Sequence, residues 1–71
     1  MNIVLFQASG DESGKILIWN AETLELLKTF KHMAAVSGIV FRRDTHQLYS
    51  CSKDRSVKIW SLDEMAYIES L

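Results

Sequence analysis

Only one cysteine, Cys51, and no proline occur in the 71 residues. A lone cysteine excludes an intrachain disulfide and any cysteine-based zinc site, and it fits a reducing compartment such as the cytosol or nucleus. Charge of one sign is lacking too. Eight Lys and Arg against nine Asp and Glu leave a formal charge of −1, so the chain as a whole does not attract nucleic acid and any RNA contact has to be local. The apolar run Ile3, Val4, Leu5, Phe6 is too short to cross a bilayer and has no basic leading region, so neither a signal peptide nor an anchor, and no membrane partner, is expected. No phosphate-binding loop and no metal-ligand cluster is written in the pattern, so no cofactor, metal or small-molecule substrate is expected.

What is present is a 48% hydrophobic, 24% charged composition, enough for a folded core and against disorder. A single core in a chain this short contributes about 3–5 kcal/mol, and small domains usually add disulfides or a metal. Neither is available, so a piece of a larger repeat architecture is expected.

Self-comparison carries the most information. Trp19 and Trp60 stand 41 residues apart, and in that register Ser9 meets Ser50, Ile16 meets Val57, Ile18 meets Ile59, Leu26 meets Tyr67, Leu27 meets Ile68 and Phe30 meets Leu71. A period near 40 with a Trp closing a short β-branched run is the signature of a four-stranded propeller blade. Between turn signals the sequence predicts strands over 3–8, 15–19, 24–30, 36–41, 47–51, 56–60 and 65–71, with turns at Ser9-Gly10-Asp11-Glu12-Ser13-Gly14 and at the other breaks. Gly38 inside the fourth strand predicts a close backbone approach there. The expected fold is all-β: antiparallel blades, with 1–30 a partial blade of three strands lacking its innermost one and 31–71 a complete blade of four. Other blades of the same propeller are expected partners.

One segment competes. Residues 21–36 are rich in Ala, Leu, Glu and Lys, and Leu24, Leu27 and Ala34 fall at helical spacing. Its counterpart 64–71 carries Tyr67 and Ile68 and no helical stripe, which decides for strand. Leu24, Leu26 and Phe30 are then expected in the core, and Cys51 is expected to be a buried small hydrophobe.

The pattern His32-x-x-x-Val36, then Leu48-Tyr49-Ser50-x-Ser52-x-Asp54-Arg55-Ser56-Val57-Lys58-Ile59-Trp60, resembles a WD repeat. That resemblance implies a buried hydrogen-bonded tetrad of His32, Ser50, Asp54 and Trp60. The chemistry is self-consistent: an indole N–H only donates, a carboxylate only accepts, and a hydroxyl and a neutral imidazole each do both. A closed chain of these groups avoids the roughly 1–3 kcal/mol that each unpaired buried polar group costs. The same residue types, His32, Ser50 and Asp54, are those of a hydrolase triad. No nucleophile-elbow pattern surrounds Ser50, so a structural, non-catalytic role is expected.

The first unit departs from the pattern. Ser9 and Trp19 are its equivalents of Ser50 and Trp60, but Ser13 stands where the turn Asp is expected, with Asp11 as a substitute, and no His precedes. Lys31 replaces the Gly common before the repeat's His.

Within the family, the stretch 35–43 with 45–50 and 54–60, and upstream Ala8-Ser9-Gly10-Asp11 and Ile16-Leu17-Ile18-Trp19, resembles the branch found in the U-three small nucleolar ribonucleoprotein. That resemblance implies a nucleolar, hence nuclear, scaffold that binds small nucleolar RNA and ribonucleoprotein core proteins during pre-ribosomal RNA processing. Arg42, Arg43, His46, Lys53 and Arg55 are the RNA- or partner-contact candidates, against the commoner role of solvated turn residues. The alternative is a generic WD-repeat adaptor for protein complexes outside ribosome biogenesis.

Overall fold

The computed structural model describes residues 6–71. The beginning of the first expected strand, residues 3–5, lies outside the described residues. Seven strands follow one another: β1 (Phe6–Gly10), β2 (Lys15–Asn20), β3 (Leu26–Lys31), β4 (Val36–Arg42), β5 (Gln47–Ser52), β6 (Val57–Ser61) and β7 (Ala66–Ser70). They form two antiparallel meanders, a three-stranded sheet ordered β1-β2-β3 and a four-stranded sheet ordered β4-β5-β6-β7.

The 41-residue period survives as geometry. The β2–β3 register shifts between Ile18 and Trp19, and the β6–β7 register shifts between Ile59 and Trp60, the same place in each sheet. Left-handed backbone repeats likewise: Gly14 (φ 94°) corresponds to Arg55 (φ 72°), and Leu24 (φ 61°) to Met65 (φ 51°). Glycine adopts that conformation without a Cβ penalty and Arg55 does not, so the turn around Arg55 has to be held by its neighbours.

The segment with helical spacing is strand and turn. The Asn20 side chain accepts from the N–H groups of Glu22 and Thr23 at 2.9 and 3.2 Å, and the Asn20 carbonyl accepts from Leu24 N–H at 2.8 Å. This is one closed turn, and left-handed Leu24 ends it before a second helical turn can start.

The two sheets pack face to face over one core of Ile16, Ile18, Phe30, Leu48, Trp60 and Leu62, edged by Phe6, Ala8, Val36, Ile39, Phe41 and Met65. Because side chains alternate along a strand, Ile16 and Ile18 of the first sheet face the second, and Trp60 of the second faces back. A backbone bond ties the sheets, Val36 N–H donating to Asp11 O at 3.0 Å, and His32 N–H to Gly14 O at 2.8 Å extends the β2–β3 ladder one residue beyond the Lys15–Lys31 pair.

Three sequence expectations need correction. Ser9 and Gly10 continue β1 instead of turning. The missing Cβ of Gly10 serves sheet packing, since an added Cβ would lie 2.6 Å from Val36 Cγ1. Leu24 and Leu26 are 69% and 46% exposed, because one occupies the turn and the other an edge strand, and only Phe30 of that trio is buried. Cys51 is exposed, since it points to the face of the second sheet opposite the core. Lys31 belongs to β3 and takes no left-handed conformation, so the loop before His32 needs no glycine.

Candidate functional site

The segment between β3 and β4 carries His32 from the first sheet's turn into the second sheet, where its ring is buried. Its Nε2 lies 2.6 Å from Ser50 Oγ on β5, and that oxygen accepts the indole N–H of Trp60 on β6 at 2.8 Å. Its Nδ1 lies 3.2 Å from Asp54 Oδ2 and 3.2 Å from Ser56 Oγ. Since a carboxylate only accepts, Nδ1 carries the proton. Nε2 is then a bare acceptor for the Ser50 hydroxyl, and the sequence Trp60 to Ser50 to His32 to Asp54 is donor to acceptor at each step. His32, Ser50, Asp54 and Trp60 are thus brought together, and among the described residues every buried side-chain nitrogen or oxygen has a partner.

Asp54 also shapes its own turn. One carboxylate oxygen accepts from Met33 N–H at 3.0 Å, and the other from Ser56 N–H at 2.8 Å and from the Ser56 hydroxyl. The Ser56 hydroxyl is the main cause holding the Asp54 carboxyl well below the usual carboxylate range; desolvation opposes it, and the N–H groups of Ser56 and Met33 and the His32 ring add to it. Ser52 Oγ accepts from Asp54 N–H at 3.1 Å and donates to Ala34 O at 3.0 Å. These bonds fix the turn in which Arg55 is left-handed. Ser56 and Ser52 did not emerge from the tetrad pattern, although Ser-x-Asp-x-Ser is the spacing of two successive side-chain-to-backbone turns.

Trp60 joins the relay to the core. Its ring stacks on Phe30 of the first sheet with centroids 4.3 Å apart and planes 15° apart, and it meets Tyr67 edge-on at 5.5 Å. Polar relay and apolar core therefore share one side chain.

In the first sheet, Ser9 is exposed, Trp19 is half-buried, and no hydrogen bond joins them among the described residues. Asp11 does cap the turn there, two residues before the position of Asp54. Its Oδ1 accepts from Ser13 N–H at 2.9 Å, the Ser13 hydroxyl at 2.7 Å and Lys15 N–H at 2.9 Å, and its carboxyl is lowered chiefly by the Ser13 hydroxyl.

The connectivity of Ser50, His32 and Asp54 matches that of a hydrolase triad atom for atom. The Ser50 residue is 1% exposed and its oxygen is already engaged by an indole N–H, so no carbonyl can approach it. The arrangement holds strands together.

The basic candidates do not form one patch. Arg42, Arg43 and His46 flank the β4–β5 turn, whereas Lys53 and Arg55 occupy the β5–β6 turn at the opposite end of β5. Arg42 pairs with Asp44 at 3.2 Å and His46 with Asp63 at 2.8 Å. Among the described residues, no carboxylate is in ion-pair range of Arg43, Lys53 or Arg55.

The WD domain, G-beta repeat profile matches residues 24–61, from the turn before β3 to the end of β6, so the family's repeat straddles both sheets. The chain is 47% identical over 64 residues to an uncharacterized WD repeat-containing protein of Schizosaccharomyces pombe, which covers 89% of this chain and 12% of that protein. It is 59% identical over 46 residues to the U3 small nucleolar RNA-interacting protein 2 of Homo sapiens, covering 63% of this chain and 10% of that one. The solved structure of U3-55K superposes with a TM-score of 0.88 at 57% identity, covering 93% of this chain and 20% of that chain. The chain thus spans between a tenth and a fifth of the length of these relatives. Fold, relay and matched repeat lead to one conclusion: the chain belongs to the WD40 family.

Proposed function

We propose that this chain is two blades, 1–30 and 31–71, of a non-catalytic β-propeller scaffold that serves a U3-type small nucleolar ribonucleoprotein in pre-ribosomal RNA processing in the nucleolus. The observation that carries this reading is the likeness at 57% identity to U3-55K across nearly all of the chain. WD40 blades are in general scaffolds, and the Ser50 hydroxyl here is sealed inside a structural relay, which supports a binding role over catalysis. Small nucleolar RNA and ribonucleoprotein core proteins are the partners in this reading. Arg43, Lys53 and Arg55 are its preferred RNA contacts, because Arg42 and His46 already face carboxylates.

A second reading, a protein-interaction adaptor outside ribosome assembly, draws on the division of the basic side chains between two rims and on the net charge of −1. Capture of the tagged protein from cells at moderate salt, with sequencing of bound RNA, separates the two. Enrichment of the U3 small nucleolar RNA supports the first; protein partners without small nucleolar RNA leave the second.

A further inference from the structure

Arg42 and Arg43 stand three and two residues before Thr45, in the turn that joins β4 to β5. The turn lies beyond the ends of both strands, where water reaches it. Thr45 is exposed, and among the described residues its hydroxyl bonds to Gln47 Oε1 alone, at 3.3 Å. Arg43 is exposed as well. Arg42 pairs with Asp44 at 3.2 Å, but the two side chains are 48% and 69% exposed, and an ion pair so open to water holds its partners weakly. Two guanidinium groups and a hydroxyl are therefore free to be taken up by another protein.

A second hydroxyl also follows basic side chains, Ser56 after Lys53 and Arg55. It is half-buried, its oxygen bonds to the Asp54 carboxylate, and it lies 3.2 Å from Nδ1 of His32. Ser56 cannot leave these partners without dismantling the turn that supports the relay, whereas Thr45 gives up one exposed bond. A kinase reads its substrate as an extended segment, so the Thr45 turn has to straighten. That breaks the Arg42–Gln47 rung, the bond from Leu62 N–H to His46 O at 2.9 Å and the exposed His46–Asp63 pair at 2.8 Å. It also releases the left-handed backbone of His46 (φ 51°), which is unfavourable for a residue with a Cβ. Local openings at an exposed end of a sheet belong to the low-energy class.

We propose that Thr45 is a phosphorylation site for a basophilic serine/threonine kinase, which takes the guanidinium groups of Arg42 and Arg43 in carboxylate pockets. Oγ1 of Thr45 attacks the γ-phosphorus of ATP. A new O–P bond forms, the bond from that phosphorus to the β,γ-bridging oxygen breaks, ADP leaves, and the hydroxyl proton passes to the kinase's catalytic carboxylate. Residues 42–46 carry two positive charges and one negative, with His46 neutral. A phosphate adds a charge of about −1.5 to −2 at neutral pH, so the net charge of the turn changes sign. A partner that meets this turn through its arginines is then repelled.

The test incubates the intact chain with ATP and the purified catalytic subunit of cyclic-AMP-dependent protein kinase, which selects arginine two and three residues before the acceptor. Intact-mass spectrometry is expected to show one added phosphate, placed on Thr45 by fragmentation, with Ser56 unmodified. Thr45→Ala, checked for an unchanged far-ultraviolet circular dichroism spectrum, is expected to take up none, and Thr45→Ser to restore uptake. Arg42→Gln and Arg43→Gln are each expected to lower kcat/KM for phosphorylation about tenfold or more, because each removes a charge-assisted pair with the kinase. Lys28→Gln, which removes an exposed charge on β3, is expected to leave it unchanged. A chain that stays unphosphorylated, phosphate on Ser56 in place of Thr45, or a rate indifferent to both arginines overturns the proposal.

Discussion

Replacing Ser50 by Ala removes one oxygen and leaves two buried groups without partners, the indole N–H of Trp60 and Nε2 of His32. Each such loss costs about 1–3 kcal/mol when no water can take over. Ser50 is 1% exposed and His32 equally so, so relief by solvent requires the sheet to open. The expected loss is about 2–6 kcal/mol, comparable to the whole stability of about 3–5 kcal/mol expected of a core this size. Urea denaturation followed by tryptophan fluorescence reads it, because Trp60 leaves its stack on Phe30 on unfolding. The Ser50→Ala chain is expected to show no folded baseline, or a midpoint shifted to very low urea with the slope unchanged. Ser37→Ala, which removes an exposed hydroxyl bonded to Cys51 O at 3.2 Å, is the control and is expected to cost under about 0.5 kcal/mol. Equal midpoints for the two variants would show that the buried Ser50 hydroxyl carries no such cost.

Other perturbations probe separate links. Asp54 has a folded-state carboxyl below its ordinary value, so its contribution is present above about pH 4 and is lost as pH falls toward the folded value. Asp54→Asn is expected to flatten the acid limb of a melting-temperature profile, with Asp11 supplying the remainder. Gly10→Ala drives a Cβ to 2.6 Å from Val36 Cγ1; a loss of about 1–3 kcal/mol is expected, recovered in part by Val36→Ala in the same chain, as chemical denaturation checks. Gly14→Ala adds a Cβ at φ 94° against the carbonyls of His32 and Ala34, and is expected to cost more than about 1 kcal/mol by the same assay. If the preferred RNA contacts are right, Lys53→Gln and Arg55→Gln each lower the salt slope of RNA binding by about 1, while Arg42→Gln changes it less; filter binding across a salt series decides this.

The strands were readable because apolar period and turn residues agree twice, 41 residues apart, so each copy corrects the other. That is why 64–71 could overrule the helical spacing of 21–36, a feature that local propensity alone assigns wrongly. Long-range geometry was not readable. A glycine beside an Asp reads as a turn, yet Gly10 is spent on the approach of Val36, a residue 26 positions away in sequence. Cys51 could be placed on a strand but not on the correct side of the sheet, since Leu48 and Tyr49 put an apolar side chain on either face of β5. The relay residues followed from donor and acceptor logic once the WD pattern was seen. Ser52 and Ser56 escaped it because they act on the backbone of the turn and leave the relay's own side-chain bonds complete without them. The separation of Arg42, Arg43 and His46 from Lys53 and Arg55 needs only the length of β5, which strand boundaries supply.

Nuclear magnetic resonance of the His32 ring and the Trp60 indole at neutral pH reads whether a directed relay from Trp60 through Ser50 and His32 to Asp54 pins the second sheet. Expected are a proton on Nδ1 of His32 and an indole proton of Trp60 that exchanges with solvent as slowly as the backbone amides of β5. A proton on Nε2, or an indole proton that exchanges as fast as one in an unfolded peptide, contradicts it.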